Sequence, residues 1–307
     1  MNLQGCGTAL VTPFRADGSV DERALYDLAR WQVESGMDWL LACGTTAETP
    51  TLDEQEWLQV IRIVAEAAGG RVPVWAGCTH NATRQAVARA RAAAQVPGVT
   101  AILSANPYYN KPTQEGQYEH FKAVALAVKL PVVLYNIPSR TAANLEPATV
   151  LRLIEAAPNI EAIKESTGNL VQITELMTQA PRSFKVYSGD DMMALGILGV
   201  GGAGLISVAS NLIPSEMAEM VRAALANDWA TARRINRKYF RLMQGIFKES
   251  SPGPVKAILA TMGRIEENYR LPMVPVQPAT RTFLERMAGE LGLLVNAPHP
   301  EGDLRMY

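Results

Sequence analysis

The segment IEAIKESTGN lies at residues 160–169. Together with the helix that follows, it forms one strand–helix unit of the fold that we predict for this chain. Its first five residues, Ile160–Lys164, are a short, mostly apolar run typical of a buried strand. The polar residues after this run predict a loop. Leu170, Ile173 and Met177 then recur at the spacing of a helix with one buried face. The segment therefore predicts a strand, a loop and a helix in that order.

Similar apolar runs alternate with helical stretches through most of the chain. The predicted strands are Gly7–Thr12, Trp39–Cys43, Val72–Gly77, Val99–Ser104, Val132–Asn136, Ile160–Lys164, Phe184–Ser188 and Ala203–Val208. Eight strand–helix units in about 225 residues predict a (β/α)₈ TIM barrel, a fold of about 250 residues. An open, doubly wound sheet is the alternative. Against it, no G-x-G-x-x-G follows the first predicted strand, and the GTTAE segment at 44–48 lacks the lysine of a P-loop.

The chain after the eighth predicted strand is expected to be helical. The predicted helices are Pro214–Ala226, Trp229–Lys248, Pro254–Met262 and Pro278–Leu293. We predict a catalytic barrel over residues 1–225, an all-helical C-terminal region over 226–295 and a loosely held tail over 296–307. Prolines, a glycine and charged residues accumulate in that tail.

Two capping boxes are predicted near the N-terminus. Ser19 with Glu22, and Thr51 with Glu54, have the spacing at which each side chain bonds the backbone amide of the other residue. Each box predicts that a helix begins at its first residue.

The composition is that of an ordinary globular protein. The 307 residues are 48% hydrophobic and include 29 basic and 30 acidic side chains, so the chain has ample core and no excess of positive charge for nucleic acid. Cys6, Cys43 and Cys78 lie in apolar segments and predict reduced thiols of a cytosolic protein. The cysteines and histidines lack the spacing of a zinc site, and no run of about 18 apolar residues predicts a membrane span. We expect a soluble, cytoplasmic protein without a metal, nucleic-acid or membrane partner.

Two chemically useful side chains end neighbouring predicted strands. Lys164 closes the sixth strand and Tyr135 lies near the end of the fifth. In barrel enzymes, the C-terminal ends of the strands carry the active site. There a lysine could form a Schiff base with a carbonyl substrate once burial favours its neutral amine, and a tyrosine could move the protons. The alternative for any single lysine is a solvated surface charge, and it stays open here, although a place at the end of an apolar strand is an argument for catalysis.

Hydroxyl groups follow two other predicted strands. Thr45 and Thr46 follow the second strand in a glycine-initiated turn, which could bind a carboxylate or simply lead into the next helix. Tyr108 and Tyr109 follow the fourth strand in a proline-bounded loop. Such paired tyrosines serve interfaces as often as catalysis, and both roles are compatible here.

An arginine and a glycine complete the set of strand-end residues. Arg140 follows the fifth strand just beyond Pro138 and is suited to hold a substrate carboxylate by two parallel bonds, the alternative being a surface ion pair. Gly189 follows the seventh strand, where it lets the backbone approach a ligand closely or eases strand–helix packing. The lysine, hydroxyls and arginine together suit Schiff-base chemistry on a small keto acid.

Six motifs carry a resemblance to a known family. They are GTTAETPTL at 44–52, NPYYNKPTQEG at 106–116, YNIPSRT at 135–141, IKESTGN at 163–169, SGDD at 188–191 and LPMVP at 271–275. With them the chain resembles the dihydrodipicolinate synthase (4-hydroxy-tetrahydrodipicolinate synthase) family of the N-acetylneuraminate lyase superfamily of class I aldolases. The resemblance implies a TIM barrel with a helical C-terminal region, assembled as a homotetramer of tight dimers. It also implies condensation of pyruvate with L-aspartate 4-semialdehyde in lysine and diaminopimelate biosynthesis, with no cofactor.

The resemblance implies a role for each matching catalytic residue. Lys164 matches the lysine of the family that forms the Schiff base. Tyr135 matches the tyrosine that shuttles protons. Thr45 matches the threonine that links this tyrosine to a second one from the partner subunit, for which Tyr109 is the match.

Further positions match the family's substrate contacts. Thr46 matches the contact to the pyruvate carboxylate, Arg140 the contact to the semialdehyde carboxylate, and Ile206 a position whose backbone carbonyl lines the site. Ala47 and Ala142 stand where the family has glycine. Because a methyl group strains a residue with positive φ, we predict ordinary backbone conformations for both alanines.

A further set of positions matches the site where lysine-sensitive bacterial relatives bind L-lysine. The positions are Thr49, Glu54, Trp57, Asn81, Gln85 and Tyr108. Gln85 replaces the carboxylate that pairs with the α-amine of lysine, and Trp57 replaces a smaller polar residue. The loss of a charge partner predicts weak or absent inhibition by L-lysine.

Two alternatives to the synthase activity are open. One is another pyruvate-dependent class I aldolase of the same superfamily, acting on a hydroxy-oxo acid or a sugar acid. Arg140 argues against it, because an aldehyde with a carboxylate needs the arginine and a polyol chain does not. The other is a catalytically silent binding barrel, against which Lys164 and Tyr135 argue.

Overall fold

Eight parallel strands form a closed barrel in the computed structural model, which describes residues 4–294. The predicted tail at 296–307 lies outside the described residues. In chain order the strands are β1 Gly5–Ala9, β2 Trp39–Ala42, β3 Val74–Gly77, β4 Val99–Ala105, β5 Val132–Asn136, β6 Ile160–Glu165, β7 Lys185–Ser188 and β8 Gly204–Ser207. Each pairs with the next, and β1 pairs with β8. The predicted TIM barrel is confirmed.

The strand bounds differ from the predicted ones by a few residues. The strand β5 lies where it was predicted, whereas β1 ends at Ala9 rather than at Thr12. The ladder stops early because the amide of Val11 donates to the side chain of Asn211, at 3.2 Å, instead of to a strand. A side-chain partner so distant in sequence has no local signal.

Helices separate the strands and continue after them. They are α1 Glu22–Glu34, α2 Glu54–Ala68, α3 Thr83–Ala93, α4 Gln114–Leu126, α5 Pro138–Thr141, α6 Pro147–Ala156, α7 Leu170–Gln179, α8 Ala194–Gly199, α9 Pro214–Leu225, α10 Trp229–Gly245, α11 Gly253–Thr261 and α12 Pro278–Glu290. Single 3₁₀ turns occur at 45–47, 49–51 and 209–211. None of the helices within residues 4–294 has the length and apolar character needed to cross a membrane.

The predicted capping boxes are wrong by two residues. Asp21, not Ser19, caps α1 through its side chain. Asp53, not Thr51, caps α2 and forms a complete box with Glu56. An ionised carboxylate is a stronger acceptor than a hydroxyl at the positive end of a helix, so the aspartates take these positions.

An aromatic cluster fills part of the barrel interior. Trp39 and Trp75 stack with ring centres 4.7 Å apart, and Tyr187 meets them edge-on at 5.3 and 5.5 Å. Gly7 leaves room for it, since a Cβ there would lie only 1.9 Å from Nε1 of Trp39. Trp39 begins β2, so the cluster reaches toward the N-terminal ends of the strands.

The C-terminal helices pack onto the barrel through contacts of α10 with α9 and α8 and of α11 with the turn at 209–211. Helix α10 packs against α9, and α12 against both α10 and α11. The division predicted after residue 225 coincides with the end of α9 and remains a proposal. Cys6, Cys43 and Cys78 are buried and free, with Cys6 inside β1 and the other two just beyond β2 and β3.

Candidate active site

Lys164 and Tyr135 lie side by side on neighbouring strands. They are directly opposite each other in the β5–β6 ladder. The ammonium nitrogen of Lys164 lies 4.3 Å from the centre of the Tyr135 ring, and each residue is 4% exposed. Among residues 4–294, no carboxylate forms a salt bridge with Lys164. The amine is therefore not committed to an ion pair and packs against the ring of Tyr135.

Gly189 makes room for the stem of Lys164. A Cβ at this position would lie 2.7 Å from Cε of Lys164 and 2.1 Å from Oγ of Ser166. The backbone of Gly189 thus lies close to the side chain of Lys164, and the predicted close approach to a ligand remains a prediction. Any larger residue would displace the amine.

A cavity of about 290 Å³, here called the rim cavity, opens above these residues. Six of the predicted site residues line it together: Thr45, Thr46, Tyr135, Arg140, Lys164 and Gly189. Parallel strands place their C-terminal ends at one rim, so residues far apart in sequence converge there. The space suits small metabolites.

The two threonines lie in the 3₁₀ turn that follows β2. Thr46 is buried and Thr45 is half-buried, and both face the rim cavity. Thr49 steadies the loop by donating from its hydroxyl to the carbonyl of Gly44 at 2.8 Å. Ala47 has the ordinary turn backbone that was predicted. Hydroxyl donors at a fixed turn are suitable partners for a carboxylate.

Arg140 lies on the short helix α5 at the edge of the rim cavity. Its Nη2 donates to the backbone carbonyl of Ser251, 3.3 Å away in the C-terminal region. The prediction for Ala142 is wrong, because this residue has φ of 55°. Its amide donates to the carbonyl of Pro138 at 2.9 Å as α5 ends, and helices commonly end in a residue with this left-handed conformation. Alanine occupies that region at a cost of about 1 kcal/mol.

The relationship to known proteins agrees with this geometry. The model of the dihydrodipicolinate synthetase family matches residues 2–290. The chain belongs to this family. A protein from Acidobacterium capsulatum named 4-hydroxy-tetrahydrodipicolinate synthase is 74% identical over 301 residues, which are 98% of this chain and all of the relative. The predicted family is thus confirmed.

Solved structures of family members have the same fold. The dihydrodipicolinate synthase of Aquifex aeolicus matches with a TM-score of 0.93 and 42% identity, over 95% of this chain and 100% of the other. The enzyme of Acinetobacter baumannii, solved in complex with pyruvate, matches with a TM-score of 0.92 and 41% identity over the same shares.

The neighbouring residues Tyr108 and Tyr109 have different surroundings in this structure. Tyr108 lines a second cavity of about 230 Å³, the side cavity, which shares Thr45 and Tyr135 with the rim cavity. Tyr109 is 89% exposed and has φ of 72°. The structure therefore does not bring Tyr109 to the Lys164 of its own chain.

Ile206 lies in β8 and is fully buried in the barrel interior, in the same apolar cluster as Tyr135. It is paired with Gly7 of β1. It is not among the residues that line the rim cavity. The part that its carbonyl plays in binding remains a prediction.

The positions matched to the family's L-lysine site are only partly brought together. Thr49 and Tyr108 both line the side cavity. Trp57 is buried in α2, where its indole donates to the carbonyl of Gly77 at 3.0 Å. Trp57 therefore packs in the core and does not line the cavity.

The remaining members of this set lie around α3. Gln85 is exposed on α3, and the backbone carbonyl of Asn81 accepts from Asn110 at 3.0 Å. The carboxylate of Glu54 is bound by Arg89, with nitrogen–oxygen distances of 2.6 and 2.9 Å. The one acid of the set is thus already neutralised within the chain.

Eight lining residues of the rim cavity were not predicted as site residues, among them Ser166, Phe247 and Ser251. Ser166 follows Lys164 by two residues, and its hydroxyl is buried without a hydrogen-bond partner among the described residues. Strand alternation could have indicated it, because residues i and i+2 share a face. Phe247 and Ser251 come from the connection between α10 and α11, and nothing local in the sequence relates that connection to the strand ends.

Two buried carboxyl groups brace the rim. Burial raises the pKa of Glu165 to about 7, against the opposing effect of hydrogen bonds from Asn136 and Thr167. Burial likewise raises the pKa of Asp191 to about 6, while it accepts from the hydroxyl of Ser207 at 2.5 Å. Both acids tie neighbouring strand ends together.

Proposed function

We propose that this protein condenses pyruvate with L-aspartate 4-semialdehyde, the reaction for which its 4-hydroxy-tetrahydrodipicolinate synthase relatives are named. The observation that carries the proposal is the uncommitted amine of Lys164 beside Tyr135 in the rim cavity. Membership of the family and the pyruvate complex of the Acinetobacter baumannii relative support the choice of pyruvate.

Lys164 acts as the nucleophile. Its neutral amine attacks the keto carbon of pyruvate, and the carbinolamine loses water to give an imine. The imine loses a proton from its methyl group, and the resulting enamine attacks the aldehyde carbon. The aldehyde oxygen gains a proton and becomes a hydroxyl group. The amine of the semialdehyde then displaces Lys164 and closes the ring, which returns the free lysine.

Tyr135 exchanges the protons of these steps. Its ring is packed against the amine, and general acid–base groups must lie within hydrogen-bond reach of the proton that they move. Thr45 lines both cavities together with Tyr135 and so can pass a proton onward. The proton relay ends at Tyr109 of a second subunit. A tyrosine that is 89% exposed on its own subunit is suited to this role.

This relay makes activity depend on assembly. We propose a homotetramer built from tight dimers, in which Tyr109 crosses the tight interface. Tyr109→Phe should lower turnover while leaving the sedimentation coefficient unchanged. A fully active monomer in analytical ultracentrifugation would contradict the relay.

The two substrate carboxylates bind to different lining residues of the rim cavity. Thr46 receives the carboxylate of pyruvate, and Arg140 receives that of the aldehyde, since a guanidinium binds a carboxylate through two parallel bonds. Arg140→Ala should raise the KM for the aldehyde about 10- to 100-fold and leave that for pyruvate unchanged. Unchanged aldehyde kinetics would remove Arg140 from this role.

Borohydride trapping tests the first half of the reaction. Reduction in the presence of pyruvate should add one reduced pyruvyl group to Lys164, located by peptide mass spectrometry. Absence of the adduct in the wild-type protein would favour a silent binding barrel.

A panel of acceptors tests the second half. Turnover of L-aspartate 4-semialdehyde should exceed that of sugar-derived aldehydes and hydroxy-oxo acids. The opposite order would identify a different pyruvate aldolase of the superfamily.

We also propose that L-lysine inhibits this protein weakly or not at all. The carboxylate of Glu54 is occupied by Arg89, and the neutral Gln85 offers no second charge for an α-amine. Half-maximal inhibition at sub-millimolar L-lysine would contradict this. The proposed reaction takes place in the cytoplasm, and the imine on Lys164 accepts electrons without an organic cofactor or metal.

A further inference from the structure

Glu48 and Lys256 form a buried ion pair between the rim loop and the C-terminal helices. The Nζ of Lys256 lies 2.6 Å from Oε1 of Glu48, and the two side chains are 0% and 1% exposed. Removing two charges from water costs free energy that their attraction often fails to recover. Stability alone is therefore a poor explanation for a pair in this position.

The ammonium group of Lys256 is held by the surrounding rings. It lies 4.4 Å from the centre of the Phe14 ring and 5.1 Å from that of Tyr269. Burial lowers the pKa of Lys256, and the charge of Glu48 opposes this effect. Because α11 carries Lys256 in a packed position, the carboxylate that it binds is fixed with respect to the barrel.

Glu48 in turn fixes the backbone of the loop. It has φ of 53° and joins the 3₁₀ turn at 45–47 to the turn at 49–51. Its amide donates to the carbonyl of Thr45 at 3.2 Å, and its carbonyl accepts from the hydroxyl of Thr51 at 2.9 Å. An ordinary residue adopts this left-handed conformation only when its surroundings impose it. The ion pair is the strongest contact that the side chain of Glu48 makes.

We propose that the Glu48–Lys256 pair is a positioning device, which holds the Thr45–Thr46 turn in the geometry that binds pyruvate. The C-terminal helical region thereby sets the affinity of the barrel for its first substrate. The inference rests on the proposed function, in which Thr46 receives the carboxylate of pyruvate. Glu48 and Lys256 touch neither substrate and act only through the turn.

Three variants separate positioning from stability. Lys256→Met and Glu48→Gln each leave one buried charge without its partner and should lower the melting temperature by on the order of 10 °C. The double variant removes both charges while methionine keeps the lysine stem and glutamine keeps the carboxylate shape. It should recover most of the melting temperature.

The kinetic result decides the proposal. In the double variant, we expect kcat/KM for pyruvate to stay about 10- to 100-fold below that of the wild type, because a displaced turn binds the carboxylate poorly. Saturating pyruvate should restore borohydride trapping at Lys164. If KM for pyruvate returns to the wild-type value together with the melting temperature, the pair is only structural and the proposal fails.

A second ion pair of the C-terminal region is the control. Arg241 on α10 and Glu290 on α12 approach to 3.8 Å between nitrogen and oxygen, and within residues 4–294 neither side chain bonds to the Glu48–Lys256 pair. The double variant Arg241→Met with Glu290→Gln should leave KM for pyruvate unchanged. Lack of a pyruvate adduct in the wild-type protein would instead refute the proposed function, and the two failures are thus distinguishable.

Discussion

The barrel interior has an aromatic end, with Trp39, Trp75 and Tyr187, and a reactive end at the rim cavity, with Tyr135. Lys164 lies between Tyr135 and Tyr187. In the sheet, Lys164 is paired with Tyr135 on one side and with Tyr187 on the other. Tyr187 is fully buried against Trp39 and Trp75, and burial raises its pKa well above the usual range. Tyr135 lines the rim cavity instead. Strand pairing alone does not make a tyrosine catalytic, because access to the cavity is also required.

Lys164→Ala is the most damaging change at the reactive end. Turnover should fall by on the order of 10⁴ or more, since no other group supplies the covalent intermediate. The melting temperature should change little, because the side chain forms no ion pair among the described residues. Intact-mass spectrometry after borohydride treatment should show no pyruvyl adduct, and a persistent adduct would mean that another lysine reacts.

The two tyrosines beside Lys164 can be compared directly. Tyr135→Phe should lower kcat about 10²- to 10⁴-fold, the range typical of a lost acid–base group. Tyr187→Phe should leave kcat nearly unchanged, because this ring packs in the aromatic cluster and does not line the rim cavity. Loss of its buried hydroxyl should act on thermal stability only. Steady-state kinetics and melting curves of both variants give the answer. Equal losses of kcat would show that the division between the two ends is wrong.

Substitution of two glycines, one at the reactive end and one at the aromatic end, compares the roles of the two ends. Gly189→Ala should cost about 10²-fold in kcat, because the new methyl group displaces Lys164 and small misplacements are expensive. Gly7→Ala should lower the free energy of unfolding by about 1–3 kcal/mol through its clash with Trp39 and spare the kcat of the folded fraction. Denaturant titration with active-site counting separates the effects. A stability loss at Gly189 without a kinetic loss would reverse the assignment.

The smallest expected effect comes from Glu165, whose protonation makes the free energy of unfolding depend on pH. Its pKa is raised from 4.5 to about 7 by burial, so the folded state binds the proton more tightly than the unfolded chain does. This contribution to stability is present below the unfolded pKa and is lost as pH rises toward 7. Glu165→Gln should remove about 2 kcal/mol of the decline in unfolding free energy between pH 5 and pH 7.5. Urea titrations at the two pH values test this, and an unchanged decline would contradict it.

The sequence was sufficient for the parts of the molecule with a local pattern. Alternation and spacing predict β5 and the placement of Lys164 at the rim, since both depend on residues near one another in the chain. The motifs then relate Thr46 and Arg140 to the same cavity. Helix starts were misplaced because hydroxyl residues and aspartates both suit an N-cap, and the positive end of the helix favours the charged carboxylate.

Contacts between distant segments could not be predicted from local pattern. Glu48 and Lys256 are 208 residues apart, and only the closed barrel with its added helices brings them together. Ala142 was misjudged because its left-handed backbone is imposed by the helix that it closes. Arg140 and Ser251 are likewise distant in sequence, and only the packing of the C-terminal region on the barrel brings them into contact. In each case the chain's neighbours in space decide the outcome.

The pairing of the first strand with the last has a consequence for synthesis of the chain. Gly5–Ala9 pairs with Gly204–Ser207, and the side chain of Asn211 seals the junction by donating to the carbonyl of Ala9 at 2.8 Å. At 5–20 residues per second, a ribosome needs roughly 10–40 s to deliver these partners after the first strand has emerged. During that time one edge of the nascent sheet is open to other chains. Closure of the barrel therefore waits for translation, and any helper that shields nascent strands would act in that interval.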